Sequence, residues 1–409
     1  MRVDAQRVVV TGMGAVSAFG LGVAALWSGM REGRSAIATL RHERAADLRV
    51  RMAAQVPAEY APEPHFAREV LPQLDRVAQF TLLAAAEAVA QSGLCFEPGT
   101  SGARAGCIVG TAVGGETTQD EQSRRLYAEN AQRLHPLTIV RAMANAAASQ
   151  VSMRYGLHGP SFVVASACAS SNHAIAQAVH LIRAGTMEVA LAGGSEASLS
   201  YGALRAWEAM RVLADDGCRP FGASRKGLVL GEGAAMFVLE SLAHARRRGA
   251  PILGEIAGVG MSADAGDIVA PDMAGAASAM SAALADAALS PSQVQYVNAH
   301  GTATLANDIN EVRAISAVFG AHARRLAVSS TKSMHGHALG ASGALELVAV
   351  LCAMAESRVP PTAHRDELDP QCDGVDHVLG DARAMAVGAA LSNSFAFGGL
   401  NAVLAIRSA

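Results

Sequence analysis

One cysteine stands where a buried strand would give way to a helix: Val164-Ala165-Ser166-Ala167-Cys168-Ala169-Ser170-Ser171. Small neighbours would let a thioester approach this thiol. A position near a helix N-terminus, with its dipole and free N–H groups, favours thiolate. Taken alone, the segment suits a buried, unreactive cysteine equally well. His300 lies in Asn298-Ala299-His300-Gly301-Thr302-Ala303-Thr304, just past a short strand, in the kind of loop that carries functional groups. Gly301 would let backbone come close to a ligand; an internally bonded core histidine fits the same residues. The run Ser329 to His337 ends another strand and brings Lys332, His335 and His337 ahead of a glycine-rich helix start. A buried Lys332 would need a partner, and Glu346 is the candidate. The histidine pair has no evident third ligand, so no metal site is expected. Last, Phe395 and Phe397 stand beside Gly398 and Gly399 between two strands, as a hinged loop or as a tight turn with core aromatics.

The elements that must position these groups alternate. Strands are expected at Arg7–Thr11, Ala105–Gly110, Ser161–Ala165, Val189–Ala192, Val294–Asn298, Leu326–Ser329, Ala386–Asn393 and Ala402–Ile406. Helices are expected at Asp75–Ser92, Ser170–Ala184, Ala274–Ala288, Asn307–Phe319 and Gly340–Ser357. This alternation, with strands apolar throughout, implies an α/β fold whose strands are buried on both faces. Two α/β-rich halves, 1–245 and 246–409, would meet near residues 242–255. No residue-level repeat is visible between them. The Arg-, Glu-, Ala- and Pro-rich stretch from Arg41 to Pro72 would cap one face.

The whole chain narrows the class. Its 409 residues are 51% hydrophobic, ample for a large core, and its net charge of −3 comes with no basic run to track a nucleic-acid backbone. The start, MRVDAQRVVVTGMGAVS, has no long apolar signal region, and Ala344–Ala355 is short and carries Glu346, so no membrane span is expected and the cytoplasm is the expected location. None of the six cysteines forms a CxxC pair, which argues against a zinc or redox motif.

Taken together and in this order, the motifs resemble the β-ketoacyl-acyl-carrier-protein synthases of the KAS I/II group. The resemblance runs from VVVTGMGAVS to the last strand and includes Cys218-Arg219-Pro220-Phe221 and Leu230-Gly231-Glu232-Gly233-Ala234. It implies a thiolase-like layered αβαβα fold of two pseudo-duplicated halves. The reaction it implies is decarboxylative condensation of an acyl thioester with malonyl-carrier to a 3-oxoacyl-carrier. The phosphopantetheinylated acyl carrier protein would be the partner, and no cofactor would be needed. The resemblance assigns Cys168 as nucleophile, His300 and His337 as the histidine pair, Lys332 as the active-site lysine with Glu346 supporting it, and Phe397 as gatekeeper. The backbone N–H groups of Cys168 and Phe397 would form the oxyanion hole. Thr302 and Thr304 would hold the pantetheine arm, and Val113 and Phe395 would line the substrate site. The family also makes a homodimer the default, with a heterodimer with a related subunit as the alternative, and leaves open a monovalent cation near Asn298, Glu346 and Asn393.

The chain departs from that pattern in places. Ala396 and Leu400 replace residues of the usual Gly-Phe-Gly-Gly-Thr-Asn gate. The second gate loop, Ser262–Asp267, lacks an expected aromatic, and Val113 replaces a larger isoleucine. Glu116, Thr117, Thr118 and Gln119 add polarity near the expected dimer seam, or are solvated surface. Basic residues for carrier docking are sparse, with Arg205 and Arg68 the candidates. These departures point to a specialised pathway, of polyketide or aryl-polyene type, rather than the main fatty-acid cycle. A chain-length-factor-like partner subunit is the alternative, against which the presence of Cys168, both histidines and Lys332 argues.

Overall fold

The computed structural model describes residues 2–96 and 104–409. Its main strands, in chain order, are β1 (Val8–Ser17), β2 (Ala105–Gly110), β3 (Ser161–Val164), β4 (Val189–Glu196), β5 (Gly233–Ser241), β6 (Gly254–Ala263), β7 (Tyr296–Asn298), β8 (Ala327–Ser329), β9 (Asp376–His377), β10 (Ala389–Ala396) and β11 (Leu400–Arg407). They join, with a short strand at Gly20–Leu21 paired to β1, into one sheet of order β9-β8-β7-β10-β11-β6-β1-β5-β4-β2-β3.

The order repeats. Before residue 245 the strands run third, second, fourth, fifth, first (β3-β2-β4-β5-β1). After it they run β8-β7-β10-β11-β6, the same permutation once the added edge strand β9 is set aside. The directions repeat too: the second strand of each half is parallel to the third and fourth, and the fifth is antiparallel to the fourth and first. The halves join where β1 pairs with β6 over Val8–Val10.

Helices α1 (Arg76–Ser92), α2 (Glu116–Tyr127), α3 (Ser170–Arg183), α4 (Tyr201–Met210), α5 (Met273–Ala287), α6 (Leu305–Phe319) and α7 (Ser342–Glu356) complete the frame. α1 packs outside β1 and β5, α5 outside β6 and β11, and α3 and α7 lie between, each touching strands of both halves. That gives alternating helix and sheet layers. The first strand of each half needs glycine for this contact. A Cβ on Gly12 would sit 2.0 Å from the Ala88 carbonyl oxygen of α1, and one on Gly260 would sit 2.0 Å from that of Ala279 in α5. The two halves thus echo each other in glycines at a strand–helix contact.

Most expected elements form within a few residues of their expected ends. The Asp75 side chain caps α1 by accepting from the Val77 N–H, and Gly93 ends it at φ 67°. β1, β4 and β10 run further than their apolar cores suggest. β5, β6, α2 and α4 have no counterpart in the sequence reading. The Ala344–Ala355 stretch is part of an uninterrupted helical run, Leu339–Glu356, long and apolar enough to cross a membrane, contrary to the expectation that it is too short. Its residues 342–354 are all buried, so here it serves as the central helix of the core.

Candidate active site

Cys168 sits in a 3-10 turn, Ala167–Ala169, that feeds directly into α3. The turn is strained: Ala167 has φ 48°, a left-handed conformation that costs about 1–3 kcal/mol for a residue with a Cβ. Ser170 holds it, its Oγ donating to the Ala167 carbonyl (2.6 Å) and accepting from the Ser166 N–H (2.9 Å). The backbone N–H groups of Cys168 and Phe397 both stabilise the anionic form of the sulfur.

His300 follows β7 and is fixed by its backbone. Glu311 of α6 accepts from the N–H of His300 and of Gly301, each at 2.7 Å. Lys332, in the one-turn helix Lys332–His335, is wholly buried. Its ammonium ion-pairs with Glu346 of α7 and donates to the His300 carbonyl (2.7 Å), with Nδ1 of the same ring at 3.3 Å. His337 receives the Leu339 N–H on its Nδ1 (3.2 Å), with Ser342 Oγ at 2.8 Å from the same nitrogen.

These contacts decide what the two rings offer. In each, Nδ1 faces a donor, so the ring proton lies on Nε2. The ring centroids are 5.4 Å apart and nearly perpendicular, at 84°. The side-chain ligand atoms of Cys168, His300 and His337 lie within 4.8 Å of one another. A metal would need lone pairs there; the rings instead present N–H groups, as stabilisation of a developing oxyanion requires.

Burial dominates the electrostatics. It holds both histidines well below the usual imidazole range, with the Lys332 charge acting in the same direction. It also pushes the Cys168 thiol up to about 12, against the pull of Lys332 and the two N–H groups. The N–H groups of Cys168 and Phe397 favour the anion, as a helix start would, but desolvation outweighs them.

The cavity around the thiol has a volume of ≈ 120 Å³. Thr302, Thr304 and Asn307 line its polar side, and Phe395, Phe397 and Val269 the apolar side. The two threonine hydroxyls bond each other at 2.9 Å, and the Phe395 ring stands 6.1 Å from His300. Val113 is not on the cavity; it is 46% exposed on an outer face. His335 is buried against Thr331, away from the thiol. Asn298 Oδ1, Asn393 Oδ1 and Glu346 Oε2 are buried oxygens without a hydrogen-bond partner. Such a donor set fits a hard monovalent cation, which would supply a fixed positive charge behind the site.

The loop that carries Phe397 is latched. The Gly398 N–H donates to the Ile268 carbonyl (2.8 Å), the Asp264 N–H to the Gly399 carbonyl (2.9 Å), and Asn401 Nδ2 to Asp264 (2.6 Å). Ala396 remains in β10 with an ordinary strand conformation, so the lost glycine does not strain this arrangement.

Several site residues escaped sequence reasoning. Glu196, at the end of β4, receives the Ala112 N–H (2.6 Å) and the Gly340 N–H (3.1 Å) and so ties the two halves together beside the thiol. A lone carboxylate closing an apolar strand was the available signal. Asp308 takes the Phe221 N–H (2.8 Å) and the Ala303 N–H (3.2 Å), bracing the threonine loop. The Glu116–Gln119 run divides: Glu116 accepts from Ser200 Oγ (2.9 Å) and the buried Thr118 Oγ1 donates to Asp75 (2.6 Å), while Gln119 is exposed. Arg205 lies on α4 and pairs with Glu208 (3.1 Å), while Arg68 is exposed.

Comparison with known proteins places the chain in a family. The family model described as β-ketoacyl synthase, N-terminal domain, matches residues 5–245, and that described as β-ketoacyl synthase, C-terminal domain, matches residues 253–366. The chain is 50% identical over 402 residues to nodulation protein E of Rhizobium meliloti (strain 1021), covering 98% of this chain and 99% of that one. It is 39% identical over 412 residues to 3-oxoacyl-[acyl-carrier-protein] synthase 2 of Synechocystis sp. (strain ATCC 27184 / PCC 6803 / Kazusa), covering 99% and 98%. Among solved structures, the ishigamide ketosynthase/chain length factor superposes with a TM-score of 0.92 at 32% identity, covering 98% of this chain and 99% of that one.

Proposed function

The chain belongs to the β-ketoacyl synthase family, with its thiolase-like fold, and from that premise we propose that it extends the acyl chains of a specialised pathway with Cys168 as nucleophile. The reaction class itself is that of the family: condensation in fatty-acid or polyketide-like chain elongation. The observation that carries the residue assignment is the meeting of one thiol, two Nε2–H donors and two backbone N–H donors around a single small cavity.

The steps follow from that set. Cys168 displaces the carrier thiol from an acyl thioester; the S–C bond to Cys168 forms, the bond to the carrier breaks, and the thiol proton leaves with the carrier. Malonyl-carrier then occupies the Thr302–Thr304 side. Loss of CO₂ leaves an enolate whose oxygen takes the Nε2–H bonds of His300 and His337. Lys332, held by Glu346, fixes the His300 tautomer and adds positive charge. The enolate carbon attacks the acyl carbonyl, whose oxyanion the N–H groups of Cys168 and Phe397 receive. Collapse releases the 3-oxoacyl-carrier, and the Cys168 sulfur regains a proton from solvent.

The specialised pathway is supported by the higher identity to the nodulation protein than to the 3-oxoacyl synthase, 50% against 39%, and by the altered gate residues Ala396 and Leu400. The carrier would dock beside α4, where Arg205 lies, and Arg68 is a second candidate. We place the protein in the cytoplasm, with its carrier. A second synthase subunit would cover the outer face that carries Val113, Ile139, Val140, Met143 and Phe162, all large and exposed beside the edge strand β3. A copy of this chain is the simplest occupant; a related subunit, as in a ketosynthase/chain length factor pair, is the alternative.

Intact-mass analysis of condensation between malonyl-carrier and a panel of acyl-carriers tests the reading. Acylation and elongation should occur in the wild type and vanish in Cys168→Ala. His300→Ala should slow decarboxylation by about 10²–10³-fold, the scale of a lost oxyanion donor. A preference centred on saturated C12–C16 chains would overturn the specialised pathway, and acylation surviving in Cys168→Ala would overturn the site.

A further inference from the structure

Arg211, Ala288 and Ser357 are left-handed residues that follow helices, where this conformation closes the last turn. Phe221 and Ala303 adopt it too, with φ of 67° and 66°, and neither follows a helix. A residue with a Cβ disfavours this conformation, so its surroundings must hold it there.

One side chain holds both. Asp308, in the first turn of α6, accepts from the Phe221 N–H on Oδ2 (2.8 Å) and from the Ala303 N–H on Oδ1 (3.2 Å). Its carboxylate is wholly buried, 3.6 Å from the equally buried guanidinium of Arg225. Arg225 in turn donates to the Gly222 carbonyl (2.9 Å) and to Asp369 (2.7 Å), and the Asp369 N–H donates to the Phe221 carbonyl (2.9 Å). Phe221 is thus gripped on both sides of its Cα.

The Phe221 ring carries the grip to the other end of the same loop. It packs on the His377 ring, with centroids 4.8 Å apart, and a Cβ on Gly301 would lie 3.0 Å from its Cζ. Phe221 therefore meets the stretch 300–304 twice: beside His300 through its ring, and between the two threonines through Asp308. The Cys218–Phe221 motif, which the reaction steps do not use, acquires a place behind the site.

We propose that Phe221 and Asp308 are positioning residues that hold Ala303 in its left-handed conformation and thereby set Thr302 and Thr304 for the carrier's pantetheine arm. Neither lines the cavity at the thiol. The inference rests on the reading of Cys168 as the acylated residue and of the two threonines as the seat of the arm.

Two substrates separate this role from a merely structural one: an acyl-carrier, which brings the arm, and the same acyl group as its ethanethiol ester, which does not. Asp308→Asn replaces one acceptor oxygen by a donating amide, so one of the two N–H bonds is lost and the loop relaxes. The acyl-carrier concentration that half-saturates Cys168 acylation, followed by intact mass, should rise about tenfold, the size of one left-handed residue's cost. The maximal rate should change little, and the ethanethiol ester should lose far less. Adding Ala303→Gly should recover most of the loss, since glycine takes this φ without strain and no longer needs the grip. Should Asp308→Asn fold poorly by circular dichroism, Phe221→Leu disturbs the loop through Gly301 with the carboxylate intact, and the same split between the two esters is expected. Equal losses with both esters, or no recovery on adding Ala303→Gly, would overturn the proposal. Acyl-carrier saturation unaltered by Thr302→Ala with Thr304→Ala would instead overturn the seat of the arm. No acylation of the wild type by either ester would overturn the reading of Cys168.

Discussion

The Cys168 thiol, proposed as the nucleophile, is pushed up by burial rather than down toward the thiolate. The N–H groups of Cys168 and Phe397 and the charge of Lys332 all favour the anion, yet burial wins and lifts the group to about 12. The folded enzyme should therefore resist soft alkylation. Modification of Cys168 by iodoacetamide at neutral pH should be slow, and should rise about tenfold per pH unit from 7 to 9, followed by mass spectrometry; a rate that levels off near pH 8 would show a thiolate already formed. Both histidines are depressed well below 6.5 and so stay neutral as the pH falls through that value. Malonyl-carrier decarboxylation should accordingly show no loss centred near pH 6.5, where an ordinary imidazole would gain its proton. The buried Lys332–Glu346 pair works differently again. Lys332→Ala strands a carboxylate in the core, and its cost in a urea titration should be about 3–5 kcal/mol. Lys332→Ala with Glu346→Ala should recover part of that loss, because the stranded charge goes with it.

Two loops meet over the thiol, and neither is closed by its own sequence. The turn after β10 is held by the stretch after β6, through Gly398 to Ile268 and through Asp264 to Gly399 and Asn401. Asp264→Ala removes the side-chain bond to Asn401 and the one Asp264 Oδ2 receives from the Asp272 N–H (2.9 Å). It should shorten the lag before acylation and raise unproductive hydrolysis of the acyl-enzyme in rapid-quench experiments; an unchanged partition would mean that the backbone bonds alone set the closure. The sequence displays both loops, since glycines and aspartates between apolar runs announce turns. It does not display that they touch, because β10 and the end of β6 are joined only through β11. Of the strands the sequence reading left out, β5 and β6 are the two that flank β1.

At the scale of the molecule the permuted strand order, repeated before and after residue 245, brings the start of α3 and the loops after β7 and β8 to one place. The central helices α3 and α7 do the bridging: Asn172 of α3 donates to the Ser392 and Ala402 carbonyls of the second half (3.1 and 3.2 Å), and Ser171 Oγ bonds the Gly340 carbonyl. A face remains uncovered, where Ile139 is 70% exposed. Ile139→Asp with Val140→Asp should convert the protein to monomers in light scattering and lower condensation while leaving the fold intact by circular dichroism; an unaltered mass would assign that face another role. The sequence alone determined the chemistry available, one thiol, two imidazoles, a lysine and a carboxylate, because residue type and local strand–turn–helix spacing are one-dimensional facts. It also determined the alternation that makes an α/β fold. Tertiary structure decided the rest: which ring nitrogen of each histidine faces a donor, that burial pushes the Cys168 thiol up, and that the stretch after β6 latches the loop carrying Phe397. Each of these depends on which distant groups exclude water from, or donate to, a given atom, and that is settled only when both halves close on the two central helices.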